Sequence, residues 1–350
     1  MDQSEALQTR VLEAYAQGTS LRIVGGGSKT FHGRAVEGEV LSVAVHRGIV
    51  DYQPSELVVT VRGGTPLAEL EQVLAAEGQM LGFEPPHFGP ATIGGAVAAG
   101  LAGPRRPFTG AVRDFVLGVK LLTGRGEVLS FGGQVMKNVA GFDLARVLAG
   151  SLGTLGILLE VSLKVLPVPP LEVTLRRRLP PDQALGAMTE LLGRDLPLSG
   201  LAYDEPFLYL RLSGAADAVA ETATGLGAEY LPDNRFWLSL REQRLPFFTE
   251  GDEPLWRLAW APAAPNPDLP GRWLLDWGGA QRWLRTTAPP GRIFEAAAQA
   301  GGHATWFRGH GPDDPVFQPL PPPLFKLHRA LKAAFDPKRI LNPGRLYEEL

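Results

Sequence analysis

The chain reads as an α+β protein of two domains with a returning C-terminal segment, on three observations. Short β-branched runs ended by glycine alternate with amphipathic helical runs through the first half. A proline cluster, PVPP at 167–170, then interrupts the pattern, and after it the order of elements changes. The 350 residues are 45% hydrophobic and 20% charged, enough apolar material for two cores.

The elements follow in order. MDQSEALQTRVLEAYAQG has acids early and no continuous apolar core, which predicts an amphipathic helix rather than a signal peptide. Strands are expected at 21–24, 41–45 and 57–64. A helix is expected over 66–78, where Pro66 opens the run, Leu67, Leu70 and Leu74 recur at helical spacing and Gly78 closes it. Strands at 115–122, 126–131 and 155–166 complete a first domain, residues 1–168. From 171 the order is strand 171–179, helix 181–193, strands 201–203 and 207–212, helix 215–227 and strand 228–231, the split βαβ, ferredoxin-like plan. A second, incomplete version follows in strands near 255–261, 272–278 and 280–287, a helix at 292–300 and a strand at 303–307. The second domain is thus 169–318. PLPPP at 319–323 is a linker, and LFKLHRALKAAFDP is a closing helix in the segment 319–350.

Composition removes several functions. Thirty-four Lys+Arg against 37 Asp+Glu give a formal charge of −3, without the basic excess of a nucleic-acid binder. There is no cysteine, so disulfides, thiolate zinc, iron–sulfur ligation and Cys nucleophiles are all excluded from this chain. Residues 85–104 contain no charged side chain, but nine of these twenty are Gly or Pro, so the stretch does not read as a membrane span. A cytoplasmic protein is expected, with any membrane contact made through a partner.

Three glycine-rich segments carry the functional signal. IVGGGSKTFHG (23–33) follows a strand, where successive N–H groups form a concave nest for phosphate or simply a turn. It is neither a Walker loop, since no Gly-Lys-Ser/Thr occurs, nor a Rossmann fingerprint, since Thr30 stands where a third glycine belongs. In 85–118, Gly94, Gly95, Gly100 and Gly103 with intervening alanines suit either a large planar or phosphorylated ligand against the main chain or close helix packing. In 135–158, Gly150, Gly153 and Gly156 precede a long strand. The three segments read as walls of one extended site.

These residues carry a resemblance. GGGSK, P-x-T-I-G-G-x-x-A-x-G, R-D-F-V-L-G, K-N-x-x-G-F-D-L, G-x-x-G-T-L-G-I and the closing F-D-P-K-R-I-L-N-P-G-R resemble the FAD-binding fold of vanillyl-alcohol-oxidase-type flavoproteins. More narrowly, GPRRPFTGAVRDFVLG and GGQVMKNVAGFDLARVL resemble the FAD-binding second subunit of bacterial glycolate oxidase. The resemblance covers most of 20–167 and the last thirty residues, and thins over 171–310.

The resemblance implies a two-subdomain FAD-binding fold with a ferredoxin-like α+β cap over 169–318. It places Gly25, Gly26, Gly27, Ser28 and Lys29 on the pyrophosphate of FAD, with Pro90, Thr92, Ile93, Gly94, Gly95 and Gly103 closing the other side. Gly153, Thr154 and Ile157 would lie on the adenine side, Asp114 would be a supporting acid, and Asn342 would approach the flavin pyrimidine edge. In the proteins it resembles, covalent attachment needs a His within the first loop or a Cys in the second. That loop reads GGGSK, His32 is displaced and Cys is absent, so non-covalent FAD is expected.

A small 2-hydroxy acid such as glycolate needs a cation for its carboxylate and a base for its hydroxyl proton. Arg105, Arg106 and Lys137 are the candidate cations and His303 the candidate base, with Arg308 beside it; solvated arginines and a structural histidine are the competing readings. The cap offers His303 and His310 without an acid between them, so no metal site is expected. The resemblance implies as partners the glycolate substrate, a larger homologous flavin subunit and an iron–sulfur subunit, with no nucleic acid and no direct membrane insertion expected. Two alternatives stay open, a stand-alone FAD-dependent alcohol or hydroxy-acid oxidoreductase and a non-catalytic FAD-holding scaffold. All seven Trp fall after residue 230, as cap core or as a docking face.

Overall fold

The structure, a computed structural model, describes residues 1–133, 143–311 and 313–350. The chain forms two units. The first comprises Met1–Ala102, Gly110–Val168 and Pro319–Leu350, the second Gly103–Thr109 and Pro169–Gln318. The excursion 103–109 thus joins the second unit, although the sequence pattern assigned it to the first.

The first unit begins with a helix, Ser4–Gln17, which buries Leu7, Val11 and Ala14 at helical spacing and ends at Gly18 with a left-handed φ of 72°. Strand β1 (Leu21–Val24) pairs in parallel with β2 (Glu39–Ser42), and Leu21 also bridges to Leu341 of the C-terminal segment. The second strand was expected over 41–45. It ends at Ser42: the Val43 N–H makes the last bond to β1, at the Val24 carbonyl, and the chain then turns, with the His46 N–H donating to the Val43 carbonyl. Next come β3 (Ile49–Gln53), β4 (Val58–Arg62), β5 (Gln79–Met80), β6 (Val116–Leu122), β7 (Val128–Gly132), β8 (Ile157–Lys164) and β9 (Leu166–Pro167). Strands β3-β4-β8-β6-β7 form one antiparallel sheet.

The helix Leu67–Ala76 lays Leu67, Leu70 and Leu74, all fully buried, into a core with Val59, Val161, Leu163 and Phe115. Burying each of these leucines contributes roughly 1.5–3 kcal/mol. A second cluster joins the first helix to Leu21, Leu41, Ile157, Ile340 and Leu341, so both chain termini close on the same sheet end.

The second unit holds β10 (Leu171–Arg178), β11 (Leu198–Asp204), β12 (Phe207–Gly214), β13 (Glu229–Leu231), β14 (Leu255–Ala259), β15 (Arg272–Asp276), β16 (Gln281–Arg285) and β17 (His303–Arg308). They form one eight-stranded sheet in the order β13-β10-β12-β11-β15-β16-β14-β17. The first four strands run fourth-first-third-second, the ferredoxin-like order, with helices Pro181–Leu192 and Ala216–Leu226 packed on Leu175, Leu201, Leu210 and Leu212. The last four repeat that order in mirror sequence along the sheet, with β11 and β15 meeting at the centre. The repeat is incomplete: residues 260–271 between β14 and β15 form turns rather than a helix, and Pro290–Gln299 is its one crossing helix. Trp256 and Trp260 belong to the core under that helix.

Candidate functional site

In the first unit the two glycine-rich segments meet. The loop after β1 runs so close to residues 90–92 that a Cβ on Gly26 would fall on the Pro90 carbonyl, and one on Gly25 on Thr92 Oγ1. Only glycine permits this approach, and it leaves main chain as the wall. Lys29 Nζ donates to the His87 carbonyl at 3.2 Å and lies 5.7 Å from the Phe88 ring centroid, tying the loop to the same segment. Thr92 caps the helix Ile93–Ala99, its Oγ1 accepting from Gly95 N at 3.3 Å.

A third wall comes from the far end of the chain. Asn342 Oδ1 accepts from Ile23 N at 2.8 Å and its Nδ2 donates to the Leu152 carbonyl at 2.7 Å. One side chain thereby joins β1, the turn before β8 and the C-terminal segment. Arg345 donates to the carbonyls of Lys29, Thr30, His32 and Arg34, bracing the first loop. Burial lowers its pKa to about 10, with Arg22 adding to the effect, so it remains a cation at neutral pH. Further down, Lys332 is buried with Nζ bonded to the Thr154 and Leu341 carbonyls and to Asp336 Oδ2 at 2.9 Å. Asp336 in turn accepts from Ile340 N and Leu341 N. This pair locks the 150s turn to the C-terminal segment.

Between the three walls lies a cavity of about 290 Å³, lined by Gly25, Gly27, Ser28, Lys29, Thr92, Gly95 and Asn342 among the residues expected from sequence. Arg22, Ala98, Leu152 and Arg345 line it as well and carried no sequence signal of their own. Main-chain walls with the cations Arg22, Lys29 and Arg345 suit a diphosphate-bearing ligand.

The remaining predicted residues do not themselves line this cavity. Gly26 and Pro90 are the contact that forms the wall. Ile93 is fully buried in the core, and Gly94 packs on Gly63, its N–H donating to that carbonyl. Close packing is thus the use of Gly94, and also of Gly100, where a Cβ would sit 2.9 Å from the Gly150 main chain. Gly153, with φ +73°, packs beside Asn342 Nδ2. Thr154 lines a second cavity of about 420 Å³ in the same unit, with Arg113, Arg146 and His328. Ile157 lies in the cluster with Leu21 and Leu341. The Asp114 carboxylate accepts from Ala111 N at 2.8 Å and caps a short turn of helix. Gly103, in the second unit, accepts from Trp277 Nε1 at 2.9 Å.

Of the candidate cations and base, Lys137 lies outside the described residues. Arg105 is buried in an ion pair with Glu172, whose carboxylate also takes Ser213 Oγ and Asn234 Nδ2. It anchors the 103–109 segment to β10. His303 is exposed at the start of β17. Partial burial of its ring, followed by the charges of Arg257 and Arg106, lowers its pKa, which keeps the imidazole neutral at pH 7. No group of three or more His, Asp or Glu among the described residues is placed to hold a metal ion, and no helix among them is long and apolar enough to cross a membrane.

Comparison with known proteins follows the same division. The FAD binding domain family matches residues 1–132, and the C-terminal domain of FAD linked oxidases matches 316–346. The chain is 50% identical over all 350 residues to the glycolate oxidase subunit GlcE of Escherichia coli K12, covering 99% of that protein. It is 30% identical over 160 residues to the glycolate oxidase subunit GlcD of Bacillus subtilis, and 32% identical over 169 residues to a D-2-hydroxyglutarate dehydrogenase of Xanthomonas citri. Those matches span 45% and 47% of this chain and 33% and 36% of the relatives. Among solved structures, p-cresol methylhydroxylase superposes with a TM-score of 0.75 at 15% identity, over 99% of this chain and 87% of the other. Alkyldihydroxyacetonephosphate synthase superposes at 0.68 and 18%, over 98% and 76%. The fold is therefore that of the FAD enzymes, and the glycine-walled cavity with its three cations fits the diphosphate of FAD.

Proposed function

The chain belongs to the GlcE family of glycolate oxidase subunits, and from that premise we propose that it holds FAD non-covalently along the glycine-walled cavity and acts with other subunits on a small 2-hydroxy acid. The observation that carries this reading is the cavity itself, walled by main chain where 25–26 close on 90–92 and lined by Arg22, Lys29 and Arg345. These three cations balance the charge of a diphosphate there. The absence of cysteine and the burial of His32 support non-covalent attachment.

FAD, when bound, supplies the acceptor for the hydride of the hydroxyl-bearing carbon. The chain's own part is to orient the acid and move its proton. His303, neutral at pH 7, serves as the acceptor for the hydroxyl proton. Arg105 acts as an anchor rather than a ligand, because its guanidinium is engaged by Glu172. Unit 2 is the cap that faces substrate or partners. Onward electrons leave to partners: a homologous flavin subunit, in line with the similarity to GlcD, and an iron–sulfur subunit, as the resemblance to glycolate oxidase implies.

The test is a visible spectrum of the FAD-reconstituted chain, recorded without oxygen before and after glycolate, with D-lactate as a second substrate. Bleaching by the chain alone would show a complete active site. Bleaching only with the other subunits present would mark an incomplete one, and failure to bind FAD would overturn the reading.

A further inference from the structure

The eight-stranded sheet of the second unit has two unlike faces. One is covered by helices and buries Leu175, Leu210, Leu258 and Leu284. On the other, the register sets Arg257 of β14 opposite Thr305 of β17, and Ala259 opposite both Gln281 of β16 and His303 of β17. Because side chains alternate, Arg257, Gln281, Thr305 and His303 share this face.

The arginines of these strands divide into two kinds. Arg282 donates to the carbonyls of Gly279, Pro262 and Ala264 and to Asn266 Oδ1. Arg285 donates to the carbonyls of Phe247, Phe248, Gly251 and Glu253. Both are consumed in holding loops. Arg257 is different: its Nε donates to Gln281 Oε1 at 2.6 Å, while its two terminal nitrogens have no hydrogen-bond partner among the described residues. Gln281 passes the contact to Asp276 Oδ2 at 3.1 Å, and Asp276 Oδ1 accepts from Trp277 N at 2.7 Å. This chain fixes the guanidinium without using its fork.

A second cation stands close by. The guanidinium carbons of Arg106 and Arg257 lie 4.3 and 5.2 Å from the Trp277 ring centroid, and the indole N–H is bonded to Gly103, which steadies the segment carrying Arg106. The Arg105–Glu172 pair anchors the same segment one residue earlier. Burial lowers the pKa of Arg257 to about 10, with Arg106 adding to the effect, and the group stays charged at pH 7.

We propose that Arg257, with Arg106 as second cation, is the carboxylate clamp of this chain. The two terminal nitrogens of Arg257 take the two oxygens of a small carboxylate, the bidentate geometry that arginine offers and lysine does not. His303 on the same face is then the group next to the α-substituent of the bound acid. The identity of that acid as a 2-hydroxy acid rests on the function proposed above; the clamp itself rests on the arginine geometry.

The test is calorimetric titration of the FAD-loaded chain with oxamate, a redox-inert carboxylate, alongside glycolate kinetics of the assembled complex. Arg257→Gln should weaken oxamate at least thirtyfold and raise KM for glycolate by a similar factor, with FAD affinity unchanged. Arg257→Lys should recover only part of the affinity, because it restores charge without the fork, and Arg106→Gln should weaken oxamate several-fold. Arg292→Gln, on the exposed helix, should change nothing. Should Arg257→Gln not fold, the Lys and Arg106 variants decide. Unchanged oxamate affinity in the folded Arg257 variants, or in Arg257→Lys and Arg106→Gln, overturns the clamp. Oxamate binding that depends on Arg257, in a complex that does not oxidise glycolate, upholds the clamp and overturns the choice of acid instead.

Discussion

Replacing Asn342 with alanine tests whether one side chain holds the three cavity walls together. Asn342 is 6% exposed and satisfies two main-chain groups at once, the Ile23 N–H and the Leu152 carbonyl. Alanine leaves both without that partner, at about 1–3 kcal/mol each. Its φ of 42° is left-handed, which asparagine tolerates and alanine does not, adding about 1 kcal/mol. Water entering from the cavity offsets part of this, so a net loss of about 3–5 kcal/mol is expected. Asn342→Gly removes the backbone strain and should recover about 1 kcal/mol of that loss. Asn342→Asp keeps the acceptor for Ile23 N–H but sets a charge against the Leu152 carbonyl, and should fall near alanine. The assay is urea unfolding followed by far-UV circular dichroism, with FAD affinity measured by flavin fluorescence. All seven tryptophans lie in the second unit, so indole fluorescence serves as an internal control whose transition should not move. A loss below about 0.5 kcal/mol in the alanine variant, or glycine less stable than alanine, would refute the reasoning.

Other outcomes follow from the same geometry. Gly26→Ala drives a Cβ into the Pro90 carbonyl, and FAD affinity should fall at least a hundredfold while the second unit's fluorescence transition is unchanged. Lys332→Met strands the buried Asp336 carboxylate and should cost about 3–5 kcal/mol in unfolding measurements. Asp204 gives a pH signature. Burial raises its pKa from 3.8 to about 6, an effect that Arg272 opposes and Glu205 supports. The folded state therefore holds this proton more tightly. The associated stability is full below pH 3.8 and is lost as pH rises through 6. Asp204→Asn should accordingly stabilise the protein by about 1–2 kcal/mol at pH 8 and by nothing at pH 3, a difference that unfolding at the two pH values would reveal.

Local order was legible in the chain itself. The Leu67, Leu70, Leu74 stripe and the terminal Gly78 specify the helix Leu67–Ala76 within a dozen residues, and the strand–helix order from 171 to 231 specifies the ferredoxin-like half of the sheet. The glycine-rich segments announced main-chain walls for the same reason: a missing side chain is visible in any sequence. Their uses were not separable there, since Gly95 lines the cavity while Gly94, one position earlier, packs on Gly63.

What tertiary structure decided is which distant groups meet. Arg105 and Arg106 are identical and adjacent, yet one is sealed by Glu172 and the other lies on Trp277, because the turn aims one at β10 and the other at the short turn after β15. Arg257 sits in a strand the sequence predicts, LWRLA, but its distinction from Arg282 and Arg285, that no loop carbonyl among the described residues reaches its fork, does not show there. Asn342 finds Ile23 across 319 residues of chain. Periodicity and turn chemistry act within a few residues, so a sequence displays them directly; partnership across hundreds of residues depends on how packed elements close on one another, and only the folded chain contains it.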